Sequence, residues 1–267
     1  MLYPYDPNPV AAMIFVVLFG VTTIWHAQIM WRRRSWYFIP LIIGGLLEIV
    51  GYVCRFMAHD NMNSILLFIL QTLTILVAPA LFAASIYMVT GRLIILLNAQ
   101  SYSIIRPTLL TKIFVGGDII SFIVQIIGSG SISNNFNLAK TIILVGLVVQ
   151  IIFFGLFVVV TTLFHRRLTI APTPMSIRLD EYSGRFGWRS ITRVVYIASA
   201  MIFVRSVFRL IEFTGDHDSV FITSEAFLYV CDSTLMIIVL AILIVIHPSN
   251  YIPGREQLRH IQGDELI

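Results

Sequence analysis

Eight ionisable side chains fall inside apolar runs of this chain: the acids Glu48, Asp118, Glu212, Glu225 and Asp232, and the bases Arg55, Arg205 and Arg209. A charged group at the centre of a membrane helix costs about 2.5–3.5 kcal/mol on insertion scales. Eight of them facing lipid would cost on the order of 20 kcal/mol, so they must face a protein interior, pair, or line a wet cavity. Their spacing agrees with that. Glu48 and Arg55, Asp118 and Gln125, Arg205 and Glu212, and Glu225 and Asp232 are each seven residues apart. Seven residues make nearly two helical turns, which puts both members on one face. Gln71, Ala78, Ser85 and Arg92 form a similar stripe. The chemistry on offer is ion pairing, proton binding and recognition of a charged headgroup. The acids outnumber the bases by two, so one or two carboxylates are expected to carry a proton or engage a cationic group. The plainer alternative is that the charges only knit helices together, although polar contacts inside membranes average just about 0.6 kcal/mol.

The elements that must carry these residues are long. The chain has 267 residues, 58% hydrophobic and 12% charged, where a soluble domain carries about 25% charged. Seven apolar runs, at 9–30, 37–58, 65–92, 112–132, 140–164, 191–213 and 224–247, each suffice to cross a core that needs about 20 residues. Lipid leaves no partner for exposed backbone groups, so these spans are expected to be helices. The fold class expected is an all-α integral membrane protein, a seven-transmembrane-helix bundle over 1–247 with a polar tail at 248–267. Of the 18 Lys and Arg, fourteen fall in one alternate set of gaps and only Lys140 in the other. By the positive-inside rule the N-terminus is outside and the C-terminus cytosolic. Arg55, Gln125, Arg209, Glu212, Glu225 and Asp232 then lie in the outer half, Glu48 and Arg205 nearer the middle, and Asp118 nearer the cytosol. The expected object is a polar chamber open toward the outer leaflet or the exterior, with a carboxylate further in.

Pro79 interrupts the third span and is expected to bend it, as a hinge or a static kink. Gly44, Gly45, Gly51, Gly116 and Gly117 would allow close helix approach. The cytosolic loop 165–190, rich in Arg, could rest on an anionic leaflet or recruit a cytosolic partner. Other chemistry is not indicated. No phosphate-binding Gly-rich loop ending in Lys-Ser or Lys-Thr occurs. The six histidines, at 26, 59, 165, 217, 247 and 260, are scattered, so no metal site, cofactor or catalytic residue is assigned. The basic residues follow the loop bias, so no nucleic-acid partner is expected either.

Several of these polar positions sit in stretches that carry a family resemblance: Glu48-Ile49-Val50-Gly51-Tyr52-Val53-Cys54-Arg55, Ala78-Pro79-Ala80-Leu81-Phe82-Ala83-Ala84-Ser85-Ile86-Tyr87, and Lys112-Ile113-Phe114-Val115-Gly116-Gly117-Asp118 with Ser121, Phe122 and Gln125. Arg205-Ser206-Val207-Phe208-Arg209-Leu210-Ile211-Glu212, then Glu225, Tyr229, Asp232 and His247-Pro248, complete the pattern. Over about 10–250 the chain resembles the fungal lipid-translocating exporter family, seven-span proteins of the resistance-to-aminocholesterol type. The resemblance implies a non-enzymatic role at the plasma membrane in export of, or resistance toward, sphingoid bases, sterol-like amphiphiles and drugs, with membrane lipids and amphiphiles as partners. On that reading Glu48, Glu225 and Asp232 would meet a cationic headgroup, Arg55, Arg205 and Arg209 would hold the acids or an anionic headgroup, and Pro79 would let the third helix bend. The alternative of a different class is a seven-helix receptor or sensor signalling through 165–190.

Overall fold

The computed structural model describes residues 8–60, 64–130, 136–183, 187–214 and 229–250. Among these residues the chain is helical throughout. Six helices are long and apolar enough to cross a membrane: α1 (Pro9–Arg33), α2 (Ile39–Ala58), α3 (Ile65–Leu96), α4 (Pro107–Gly130), α5 (Phe136–Ile170) and α7 (Trp188–Thr214). The helix α6 (Pro174–Ser183) is short, and α8 (Leu235–Val245) is apolar but also short, preceded by a π-helical turn at Tyr229–Thr234. The expected seventh span, 224–247, therefore begins outside the described residues, as does the site residue Glu225. Much of the expected loop 165–190 is helix, shared between the end of α5 and α6.

The helix ends follow from local chemistry. Asn8 caps α1 by accepting from the Val10 and Ala11 amides, in the manner preferred at helix starts. Arg34 closes it in the left-handed conformation. Ser64 caps α3 through Leu67. At the start of α2 the Leu41 amide would be left without a partner within the helix; the Ser85 hydroxyl of α3 accepts from it at 2.9 Å.

The long helices pack in a ring. Neighbours run α1, α2, α3, α4, α5, α7 and α8, and α8 returns to α1. α3 also crosses to touch α7, which makes it the central helix, with 19 buried residues from Gln71 to Leu96. Outward faces carry apolar side chains such as Ile24, Ile120 and Val159, as the lipid-facing side of such a bundle must.

Small residues set the spacing of α2 and α3. A methyl group at Gly44 would lie 2.7 Å from the Phe82 ring and 2.9 Å from the Ala78 carbonyl oxygen. One at Gly51 would lie 2.5 Å from Ile75, and one at Gly117 the same distance from the Phe153 ring. Gly45 meets Thr23 of α1 in the same way. Gly116 does not serve this role, since nothing lies within 4 Å of the space its side chain would fill. The stripe Gln71, Ala78, Ser85 and Arg92 lies along one side of α3. Ser85 meets the start of α2, and the Arg92 guanidinium sits 4.4 Å from the Tyr37 ring centroid.

Candidate functional site

Three chain segments converge on one buried ion cluster. α2 supplies Glu48, Tyr52 and Arg55 at i, i+4 and i+7, so all three share a face. α7 supplies Arg205, Arg209 and Glu212 with the same spacing. The π-helical turn supplies Tyr229, Asp232 and Ser233. Single π turns recur at functional sites because they re-aim side chains within a helix. Here the Thr234 hydroxyl donates to the Tyr229 carbonyl at 2.9 Å.

Asp232 is the centre. Its two oxygens are taken by two arginines: Oδ1 pairs with Arg205 Nε, and Oδ2 accepts from Arg209 Nη2. Arg209 also donates through Nη1 to Glu212 at 3.0 Å. Glu48 lies within electrostatic range of Arg205, Arg209 and Asp232, and its Oε2 has no hydrogen-bond partner. Tyr52 and Ser233 share a hydroxyl–hydroxyl hydrogen bond that ties α2 to the turn. Arg55 donates from Nε to the Tyr229 hydroxyl at 3.1 Å. From α1, Phe15 stacks on Tyr229 and Tyr52 at 5.1 and 5.5 Å, and Phe19 on Tyr52 at 5.7 Å. These rings close the cluster on that side.

Arg205 does a second thing. Pro79 has no amide hydrogen, so the Ile75 carbonyl four residues earlier loses its helical donor. Arg205 Nη2 donates to that carbonyl at 2.7 Å. One guanidinium thus holds the carbonyl that Pro79 orphans on α3 with one nitrogen and Asp232 with another, and so joins α3, α7 and the start of α8. Arg can do this because its donors are fixed in a planar fork.

Of the residues expected from sequence, Glu48, Arg55, Arg205, Arg209, Glu212 and Asp232 are brought together. Arg205 and Glu212 share a face but pair with different groups, Asp232 and Arg209. Glu48, Arg55, Arg205 and Asp232 are only 1–2% exposed, so the cluster is packed rather than spread around an open chamber. Two cavities among the described residues lie elsewhere. One of about 560 Å³ is wholly outward, against Val10, Met13, Val17 and Phe56. The other, about 380 Å³, lies among Thr169, Ser176, Asp180, Trp188 and Arg189.

Gln71 is buried on α3, one turn before Ile75. Gln125 belongs to a separate seam between α4 and α5. It donates to the Ser121 hydroxyl at 2.9 Å and to Gln150 Oε1 at 3.3 Å, while Ser121 donates to the Gly146 carbonyl at 2.7 Å. Asp118 is buried on α4 one turn before Ser121 and has no ion pair with the cluster. Tyr52, Ser233 and the Ile75 carbonyl were not expected as participants. A signal existed for two of them: Tyr52 falls on the Glu48–Arg55 face, and a proline inside a helix always orphans the carbonyl four residues back. No group of three or more His, Cys, Asp or Glu fit to hold a metal occurs among the described residues.

Long apolar helices around a buried charge cluster define an integral, multi-pass, all-α membrane protein. Comparison with known families gives its kinship: residues 41–255 match the family described as RTA1 like protein, and the chain belongs to that family. It is 31% identical to Protein RTM1 of Saccharomyces cerevisiae over 91% of this chain and 90% of that one. Protoporphyrin uptake protein 1 of the same yeast is 30% identical, over 90% and 89% of the two chains. The yeast sphingoid long-chain base transporter RSB1 is 24% identical, over 93% and 74%. No solved structure matches the chain.

Proposed function

We propose that this protein moves lipid-like amphiphiles across or between the leaflets of a fungal membrane, the plasma membrane foremost. We further read it as a seven-span bundle, N-terminus outside and C-terminus cytosolic, with residues 1–247 in the membrane domain and a cytosolic tail. The observation that carries the reading is the ion cluster of Glu48, Arg205, Arg209 and Asp232. Ionisable groups are retained inside membrane proteins mainly along substrate and ion pathways. Arg205 of this set also holds the Ile75 carbonyl that Pro79 orphans in the central helix, so a change at the charges is mechanically linked to α3. The relatives named for sphingoid long-chain bases and for protoporphyrin are transporters of amphiphiles, which supports that substrate class. Within the ion cluster Glu48 is the carboxylate best disposed to meet a cationic headgroup, because its Oε2 is uncommitted while both oxygens of Asp232 are held by arginine.

The test is reconstitution in liposomes with a fluorescent long-chain base and, separately, a fluorescent phospholipid. The protein is expected to speed movement of the base between leaflets, and Glu48→Gln to slow it at least tenfold with thermal stability retained. Movement no faster than in empty liposomes, with and without a proton gradient, would overturn the proposal.

A further inference from the structure

Asp118 is a buried acid that lies outside the arginine cluster. It is 3% exposed on α4, and no cationic side chain pairs with its carboxylate among the described residues. None of the ion pairs among the described residues includes it. Beside it stands the Tyr87 phenol of α3, the one polar side chain within reach of the carboxyl among the described residues. Around them lies an aromatic box. The Tyr87 ring is 4.5 Å from Phe157, 5.6 Å from Phe114 and 6.1 Å from Phe154, and Phe114 is 5.5 Å from Phe157. Phe114 precedes Asp118 by one turn of α4, so both face the same way.

The other titratable residues of α3, α4 and α5 are Arg92, Lys112, Lys140, His165, Arg166 and Arg167, all toward helix ends. α3 thus faces the carboxyl with Tyr87 alone, and α5 with phenylalanines. The arginine cluster is no substitute. Tyr87 lies three turns beyond Ile75, about 18 Å along α3 at 1.5 Å per residue. An isolated carboxylate is not tolerated in such surroundings and must be neutralised. Ring faces attract cations, most of all when water is excluded.

We propose that Asp118, with Tyr87, Phe114, Phe154 and Phe157, is a cation-exchange site that holds a proton until an alkylammonium headgroup replaces it. The proposal rests on the amphiphile-moving reading above and names the charge class and the coupling. The step balances. The cationic headgroup enters, the carboxylic acid releases its proton to water, and the carboxylate remains paired with the ammonium. One positive charge enters and one leaves. The rings touch one another in this structure, so admission requires α4 and α5 to part at this level.

The experiment uses the full chain in phosphatidylcholine nanodiscs, weakly buffered, with a pH-sensitive dye. The probe is a long-chain alkyltrimethylammonium, whose fixed charge has no proton to give, so any proton released comes from the protein. A neutral alcohol of the same tail and empty nanodiscs are the controls. The expected result is about one proton released per cation bound and none with the alcohol. Asp118→Asn should abolish the release and weaken cation binding at least tenfold, while Asp118→Glu retains both. Cation binding by the wild type without proton release would overturn the proposal whether or not any variant folds, and so would equal release from Asp118→Asn. Exchange without leaflet movement in liposomes would leave this site standing and remove the translocation reading. Leaflet movement unchanged by Asp118→Asn would do the reverse.

Discussion

Asp232 and Asp118 pose the same problem and receive opposite answers. Each is a carboxyl group buried in a helical membrane protein, 1% and 3% exposed. Asp232 has a guanidinium on each oxygen; Asp118 has none. Burying an ion costs several kcal/mol after relaxation. A unit charge at 4 Å returns about 4 kcal/mol at an effective dielectric of 20, but at about 18 Å it returns only about 1 kcal/mol. The two arginines therefore offset the cost of burying Asp232, and Asp118 cannot lean on them. The first arrangement makes architecture, joining α3, α7 and α8. The second leaves an acid whose state is set by what comes to it.

The largest effect should come from removing the negative centre. Asp232→Asn leaves Arg205 and Arg209 buried with half their partners, and breaking a buried pair this way costs about 3–5 kcal/mol. Asp118→Asn removes no ion pair and should change stability by about 1 kcal/mol or less, in either direction. Thermal unfolding of both variants in one detergent reads the difference. Equal losses would break the contrast, since Asp118 would then be an ordinary structural acid.

The next effect concerns Arg205. Arg205→Lys keeps the charge but loses the fork, so Asp232 and the Ile75 carbonyl can no longer both be served. A loss of about 2 kcal/mol is expected, within the range for hydrogen bonds to charged groups. In a Pro79→Ala background the amide at 79 can again donate to Ile75, and the same substitution should cost about 1 kcal/mol less. The double-mutant cycle isolates that coupling. Additivity would mean that Arg205 does not compensate for the missing amide of Pro79.

These contacts mark what a single sequence can and cannot say here. Apolar run length gave the helices, because crossing distance is fixed by the bilayer. Seven-residue spacing gave the faces, so Glu48 and Arg55 were legible as neighbours of one interior. Partners were not legible. Arg205 and Glu212 share a face, yet Arg209 takes Glu212 at i+3 and Arg205 takes Asp232 across the bundle. Periodicity fixes direction around one helix axis and says nothing of which neighbouring helix stands opposite, or at what depth. The π-helical turn that aims Asp232 and Ser233 inward was hidden for a related reason: a local change of register leaves no mark in a hydropathy pattern. The packing glycines were readable as a class but not singly. Gly44 and Gly116 look alike in sequence, and only Gly44 has Phe82 against it. Gly44→Ala should cost about 1–3 kcal/mol by overpacking. Gly116→Ala should stabilise by roughly 0.5–1 kcal/mol, the ordinary gain from replacing glycine within a helix.

A small effect sharpens the opening comparison most directly. Tyr52→Phe removes the hydroxyl shared with Ser233 but leaves every charge in the cluster and the ring stacking on Phe15 and Phe19. A neutral hydrogen bond contributes about 1 kcal/mol net, and Ser233 can turn its own hydroxyl elsewhere. Tyr52→Phe should therefore cost about a quarter of what Asp232→Asn costs, measured in the same unfolding assay. If the two losses match, the cluster is held by its hydroxyl contacts and packing, and the arginines around Asp232 contribute nothing beyond cancelling its charge. If they separate as expected, pairing is what makes Asp232 structural, and lack of pairing is what sets Asp118 apart.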